Sequence, residues 1–409
     1  MKKLILVLLI ATGLEAYAGG YRVALQGARL LGMGHAGTGL FSNAETLFFN
    51  PSGIAFLQGK YQFSAGLNFV LSNVRYQNAQ TYATAETHNP VGTPFYLYAT
   101  MKATDNLYFG LGIYTPFGST IKWDKDWAGS HLVNTISLVA IYTQLSMTYR
   151  FNPYFSVSAS FISATGSIDL DKNINRFQTD ENGNRTGIEL QAKGITGSGY
   201  VLSASIRPSD KFSLGLTYRS KIIFRARYGE AVFHDQPAYF PDRDAFTAEL
   251  PMPAEFDLGM AWKPLDKLTL AADMNYTYWS VYKKLDIKFN RLGETVLPKH
   301  WQNTYTWRFG AEYALSDALQ IRAGYYTDQS PIPATYFSPE TPSLDTRNFT
   351  FGFSYTLHKI TLDAAFLYVN GKERTDSYDY YKEGLSTPRF SGTYVENAFV
   401  PSFGISYKL

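Results

Sequence analysis

From about residue 60 to the end of the chain, apolar and polar residues alternate with a period of two, the spacing of β-strands with one apolar face. In 349–358, Phe349, Phe351, Phe353, Tyr355 and Leu357 share one face, while Thr350, Gly352, Ser354, Thr356 and His358 share the other. Trp307, Phe309, Ala311 and Tyr313 oppose Arg308, Gly310 and Glu312, and Leu319, Ile321, Ala323 and Tyr325 oppose Gln320, Arg322 and Gly324. Phe212, Leu214, Leu216 and Tyr218 alternate with Ser213, Gly215, Thr217 and Arg219, and the chain ends in the same rhythm at Phe403, Ile405, Tyr407 and Leu409.

The connections add a second pattern. Tight polar turns stand at Thr104-Asp105-Asn106, Asn152-Pro153, Pro208 to Lys211, Pro264 to Lys267, Ser316-Asp317 and His358-Lys359. Longer stretches lie between them, near 73–91, 119–131, 171–187, 230–244, 290–302, 329–345 and 373–391. Thirteen connections imply fourteen strands. An even number of antiparallel strands, with short turns at one end and long loops at the other, is the signature of a bacterial outer-membrane barrel.

A soluble sandwich or propeller could also alternate, but two features favour the barrel. The polar face carries charges in mid-strand, at Arg219, Asp273, Arg308, Glu312, Arg322 and Asp363, where a polar lumen can pair them. The opposite face gathers Tyr, Phe and Trp toward the strand ends, as at the two membrane interfaces. Lipid tolerates no unpaired backbone edge, so the sheet must close.

The first eighteen residues, MKKLILVLLIATGLEAYA, read as an export signal: Lys2 and Lys3, an apolar run from Leu4 to Leu14, then Ala16-Tyr17-Ala18 as a cleavage site. The run is too short for a bilayer-spanning helix, which needs about twenty apolar residues. Three units are expected: 1–18 as signal peptide, 19–58 as a plug and 59–409 as the barrel. Composition agrees. Aromatic residues make up 16% of the chain and charged residues 17%, against about 25% charged in an average soluble protein. Without cysteine there is no disulfide scaffold, thiol catalysis or Cys-based zinc site, and a net charge of +3 leaves no footprint for nucleic acid.

Residues 19–58 do not alternate. They are small, apolar and glycine-rich, which suits short helices and turns packed inside a lumen. Gly32-Met33-Gly34-His35-Ala36-Gly37 matches G-x-G-x-x-G literally, yet it lacks the strand and helix of a dinucleotide site.

The run Gln26 to Gly34, then Asn43-Ala44, then Phe48-Phe49-Asn50-Pro51-Ser52-Gly53, resembles the N-terminal hatch of the FadL family of long-chain fatty acid outer-membrane transporters. Further similarities follow in order at Tyr114-Thr115-Pro116-Phe117-Gly118, Leu216 to Ser220, Leu250-Pro251, Tyr278-Trp279-Ser280 and Asp328-Gln329-Ser330-Pro331-Ile332-Pro333. Ser52 stands where the family carries Ala, and the final residue is Leu409 rather than an aromatic. The resemblance implies a fourteen-stranded antiparallel barrel in the outer membrane, plugged by a small helical hatch. It implies passive uptake of hydrophobic molecules, with long-chain fatty acids first and aromatic hydrocarbons as the alternative. The partners expected are such a hydrophobic small molecule and outer-membrane lipid, with no cofactor, no metal and a monomeric barrel. An adhesin or lipid-active enzyme is the rival of a different class. It finds little support in six scattered histidines, His35, His88, His131, His234, His300 and His358, none at ligand or triad spacing.

Three groups of residues stand out as a candidate pathway. Pro116 lacks an amide donor and Gly118 a side chain, so Pro116-Phe117-Gly118 weakens the end of the third strand. That is either an ordinary bulge or, as the resemblance implies, a lateral opening. Asn50-Pro51-Ser52 favours a turn, either purely structural or a gate that reorganises with ligand. A fatty acid carboxylate in an apolar pocket needs a cation. The resemblance implies one Arg and one Lys, and the best matches are Arg176 and Lys299.

Overall fold

The computed structural model describes residues 19–409; the signal peptide expected at 1–18 lies outside them. Fourteen strands form the wall: β1 (Tyr61–Asn68, resuming at Leu71–Asn78), β2 (Phe95–Lys102), β3 (Leu107–Lys122), β4 (Thr135–Asn152) and β5 (Phe155–Asn173). Then come β6 (Gly187–Ser209), β7 (Phe212–Arg219, resuming at Ile222–His234), β8 (Arg243–Met252, resuming at Glu255–Leu265) and β9 (Leu268–Thr277). β10 (Thr304–Ala314), β11 (Leu319–Asp328), β12 (Thr346–Leu357), β13 (Ile360–Gly371) and β14 (Phe390–Lys408) complete it. Each pairs antiparallel with the next, and β14 returns to β1 with Phe63 opposite Tyr407 and Leu67 opposite Phe403. The barrel is closed, so no edge meets lipid.

Alternation decides which way each side chain faces. Phe349, Phe351, Phe353 and Tyr355 are half exposed on the outer wall, whereas Arg322 and Asp273 are 2% exposed and Asp363 4%. Arg322 bonds Glu312 at 2.6 Å and Asp363 at 3.4 Å, and Arg308 meets Asp257 at 3.4 Å. The mid-strand charges therefore pair inside.

The six tight turns join strands at one end of the barrel. At the other end several strands, β4, β5, β6 and β14 among them, run well past the 9–11 residues needed to cross a bilayer. β6 alone has 23 residues. Segments expected to be loops thus contain strand: Lys284–Phe289 pairs with Glu294–Pro298, and Arg374–Tyr378 lies against the start of β14. Once β-pairing begins in the wall, it costs little to extend it above the lipid.

Residues 19–58 sit within the barrel as two one-turn helices, α1 (Ala28–Leu31) and α2 (Thr46–Phe49), and a 3₁₀ helix over Pro51–Phe56. Arg29 on α1 bonds Glu312 at 2.5 Å, and the Asp273 carboxylate accepts the Gly37 and Thr38 amides at 2.9 and 2.8 Å. The glycine motif of 32–37 serves packing. Gly34 adopts a φ of 61°, and a Cβ on Gly310 or Gly324 of the wall would strike the hatch backbone at Met33 and Gly34. Glycine on both sides permits that contact.

Candidate functional site

β3 breaks its register where proline falls. Tyr114 opposes Tyr142 of β4 and Phe117 opposes Ala140, so three steps on β3 match two on β4. On its other edge, pairing with β2 ends at Tyr114. Thr115 patches one further position through its hydroxyl, which accepts the Phe95 amide at 3.1 Å. Beyond that the partner of β3 comes from the hatch: Val23 N–H donates to Pro116 O at 2.8 Å and Gly118 N–H to Tyr21 O at 3.1 Å, with Arg22 opposite Phe117. The chain's first described residues thus stand in for a wall strand.

Arg22 fixes this segment from within. Its guanidinium donates to Asn275 Oδ1 at 2.7 Å and Thr306 Oγ1 at 3.2 Å, and meets Asp328 at 3.2 Å and Glu255 at 3.5 Å. Tyr21 donates its hydroxyl to Pro251 O at 2.6 Å, and its ring lies 4.8 Å from Trp279 and 5.5 Å from Trp301. These rings belong to a buried aromatic cluster beneath the outer loops. Beside the segment is a cavity of about 250 Å³, bounded by Gly118, Ser119 and Thr120 of β3 and by Val70 and Ser72 of β1.

The Asn50-Pro51-Ser52 turn is fully buried and tied to the wall. Asn50 Oδ1 caps the 3₁₀ helix, accepting Ser52 N at 3.2 Å and Ser52 Oγ at 2.6 Å. Its Nδ2 donates to Thr38 O at 2.9 Å and to Ser205 Oγ of β6 at 3.0 Å. Ser52, at the position where the resemblance expects alanine, adds a hydroxyl contact to Ser205 at 2.6 Å.

Both candidate cations are already engaged. Arg176, in the loop after β5, holds Glu383 of the β13–β14 connection at 2.7 Å and stacks on Phe177, so it braces one loop against another. Lys299 is 3% exposed and contacts Glu340, with its Nζ 5.8 Å from the Tyr378 ring. No contact joins Arg176 to Lys299 among the described residues.

The second cation near Lys299 is Lys172, at the outer end of β5. Its Nζ donates to His131 O at 2.8 Å and lies 5.8 Å from the Tyr381 ring, and no carboxylate is within ion-pair distance among the described residues. Burial, and then Lys172 itself, push the His131 imidazolium down to about 3, so that ring is neutral. Burial, with Lys172 adding to it, pulls the Lys299 ammonium down to about 7, and Glu340 is its ion-pair partner. The two lysines thus stand near one another in an aromatic setting, and only Lys299 has a carboxylate partner. Strand parity pointed to Lys172: it continues the inward face of Ser160, Ile162, Ala164 and Leu170. Arg22 had no such signal, because the hatch has no period.

The family model described as Outer membrane protein transport protein (OMPP1/FadL/TodX) matches residues 8–409. The chain belongs to this family. It is an outer-membrane barrel that transports hydrophobic compounds, and not an enzyme. A long-chain fatty acid transport protein of Escherichia coli is 22% identical over 92% of this chain and 94% of its own. A Pseudomonas aeruginosa FadL homologue superposes with a TM-score of 0.84 at 20% identity, covering 95% of this chain and all of that one. The Pseudomonas putida toluene transporter TodX gives 0.71 at 18% identity over 97% of this chain and all of that one. Those two likenesses concern the fold.

Proposed function

We propose that this family member takes up long-chain fatty acids, held with the chain among the aromatic rings under the outer loops and the carboxylate beside Lys172 and Lys299. The observation that carries the reading is the unmatched ammonium of Lys172. A half-buried cation without a counter-charge is costly, and a bound carboxylate removes that cost. Each methylene taken from water adds about 0.8 kcal/mol, so a long chain gains far more from such a site than from an aqueous pore. The E. coli relative is named for the same substrate class.

Release would follow when the Tyr21-Arg22-Val23 segment leaves β3 and the Asn50-Pro51-Ser52 turn shifts. The substrate would then pass the edge at Pro116-Phe117-Gly118 into the membrane. Support for this route is that the edge is closed by the hatch, which is not a continuous strand of the wall, rather than by β2. Aromatic hydrocarbons are the second reading, favoured by the rings about Trp279 and Trp301, which need no charged head group. Uptake of labelled oleate and labelled toluene by cells carrying the protein in place of their own transporter separates the two. Oleate uptake above the empty strain, lost in Lys172→Met, supports the first. Toluene uptake alone, indifferent to Lys172, overturns it.

A further inference from the structure

Glu396 of β14 projects into the cavity beside the hatch segment, across from Ser119 and Thr120 of β3. Leu367, Val369, Ala398 and Val400 line its side of the cavity with Ser72 of β1, and Arg22, Thr346 and Asn348 line the rest. Among the described residues its carboxylate has no hydrogen bond and no ion pair. The other acid of the cavity, Asp328, is held by Arg22 and by the Thr306 hydroxyl at 2.8 Å. A half-buried carboxylate without an ion pair holds nothing in the fold together. A carboxylate with no structural partner, facing the space between the aromatic chamber and the hatch-covered edge of β3, has its effect on whatever passes.

We propose that Glu396 is a head-group filter on the exit path, repelling anionic head groups and passing uncharged ones: hydrocarbons, alcohols and acids in their protonated form. The inference rests on the transport reading above. It gives the path two signs of charge in series. Lys172 and Lys299 attract a carboxylate under the loops, and Glu396 opposes it nearer the wall. A fatty acid therefore takes one proton from solvent hydronium before it leaves, R–COO⁻ and H₃O⁺ giving R–COOH and H₂O. Like charges several ångströms apart in a narrow cavity repel more strongly than they do in bulk water.

Cells that carry the full chain as their only transporter of this kind would be tested at about pH 8, on the alkaline side of Glu396, with labelled dodecanol and labelled dodecyl sulfate, which stays anionic at every working pH. The expected result is rapid uptake of dodecanol by the wild type and slow uptake of dodecyl sulfate. Glu396→Gln should raise dodecyl sulfate uptake about tenfold and leave dodecanol uptake within about twofold. Ser72→Lys, which keeps Glu396 but supplies a counter-charge in the same cavity, should produce the same gain. Dodecyl sulfate uptake unchanged in both variants, with dodecanol still entering, overturns the filter and leaves the transport reading intact. Dodecanol uptake by the wild type no greater than by the empty strain overturns the transport reading, and the filter with it.

Discussion

At the scale of single residues, charge and hydrogen bonding under the loops and in the hatch set the sharpest expectations. If Lys172 and Lys299 share a ligand carboxylate, Lys172→Met should weaken fatty-acid binding by about 1.5–3 kcal/mol, the range for bonds to charged groups. An uncharged hydrocarbon of equal length should bind as before, and a titration with both ligands checks this. Lys299→Met should cost fatty-acid binding too, with some loss of loop order, since it also strips Glu340 of its partner. Arg176→Ala is different. Arg176 is committed to Glu383, so the structure expects a looser loop and little change in binding; an effect as large as that of Lys172→Met would return Arg176 to the head-group site. Asn50→Ala removes five hydrogen bonds from a buried turn. It should lower transport several-fold while the barrel reaches the membrane at wild-type levels, because the wall strands do not depend on it. Equal losses of folded protein and transport would make Asn50 purely structural.

At the scale of elements, the decisive contact is between β3 and the three residues Tyr21, Arg22 and Val23. Proline at 116 removes one donor from the β3 edge, and the register shift turns the strand away from β2. The hatch supplies the missing partner, and Arg22 ties it to the far wall through β9, β10 and β11. With no native cysteine, a cross-link can be placed cleanly. The Val23 Cγ2 methyl stands 3.9 Å from where a Cβ on Gly118 would lie, so Val23→Cys with Gly118→Cys should form a disulfide under oxidation. Cross-linked protein is expected to bind fatty acid and not to transport it, with transport restored by reductant. Full transport with the bridge formed would reject the route past β3.

At the scale of the whole molecule, the two ends of the barrel differ as the membrane requires. Short turns such as 208–211 belong at the periplasmic end, and the long hairpins and loops belong outside. Tags near Asn182 and near Asp379 should be detected on intact cells, and a tag in the Pro208–Lys211 turn only after permeabilisation. Reversed labelling would invert the barrel and the entire path. Closure through β14 and β1 also makes the last residues essential to the wall, since Phe403, Ile405 and Tyr407 each face a partner on β1.

Strand number, closure and the inward or outward sense of each wall side chain were legible in the sequence, because a period of two in contact with lipid leaves no freedom: Phe351 must face out and Arg322 must face in. The turns were legible for the same local reason, as Pro208-Ser209-Asp210-Lys211 shows. Lys172 lay within reach of that parity, whereas the charge balance around it depends on Lys299, Glu340 and His131, which the loops bring from distant parts of the chain. Tertiary structure alone decided that Arg22 reaches Asp328 and Asn275, that Tyr21 to Val23 pair with β3, and that Glu396 is left without a partner. Local sequence fixes which face a strand residue occupies. What stands opposite it in a lumen depends on how a non-periodic hatch folds against fourteen strands at once, and that is a property of the closed barrel.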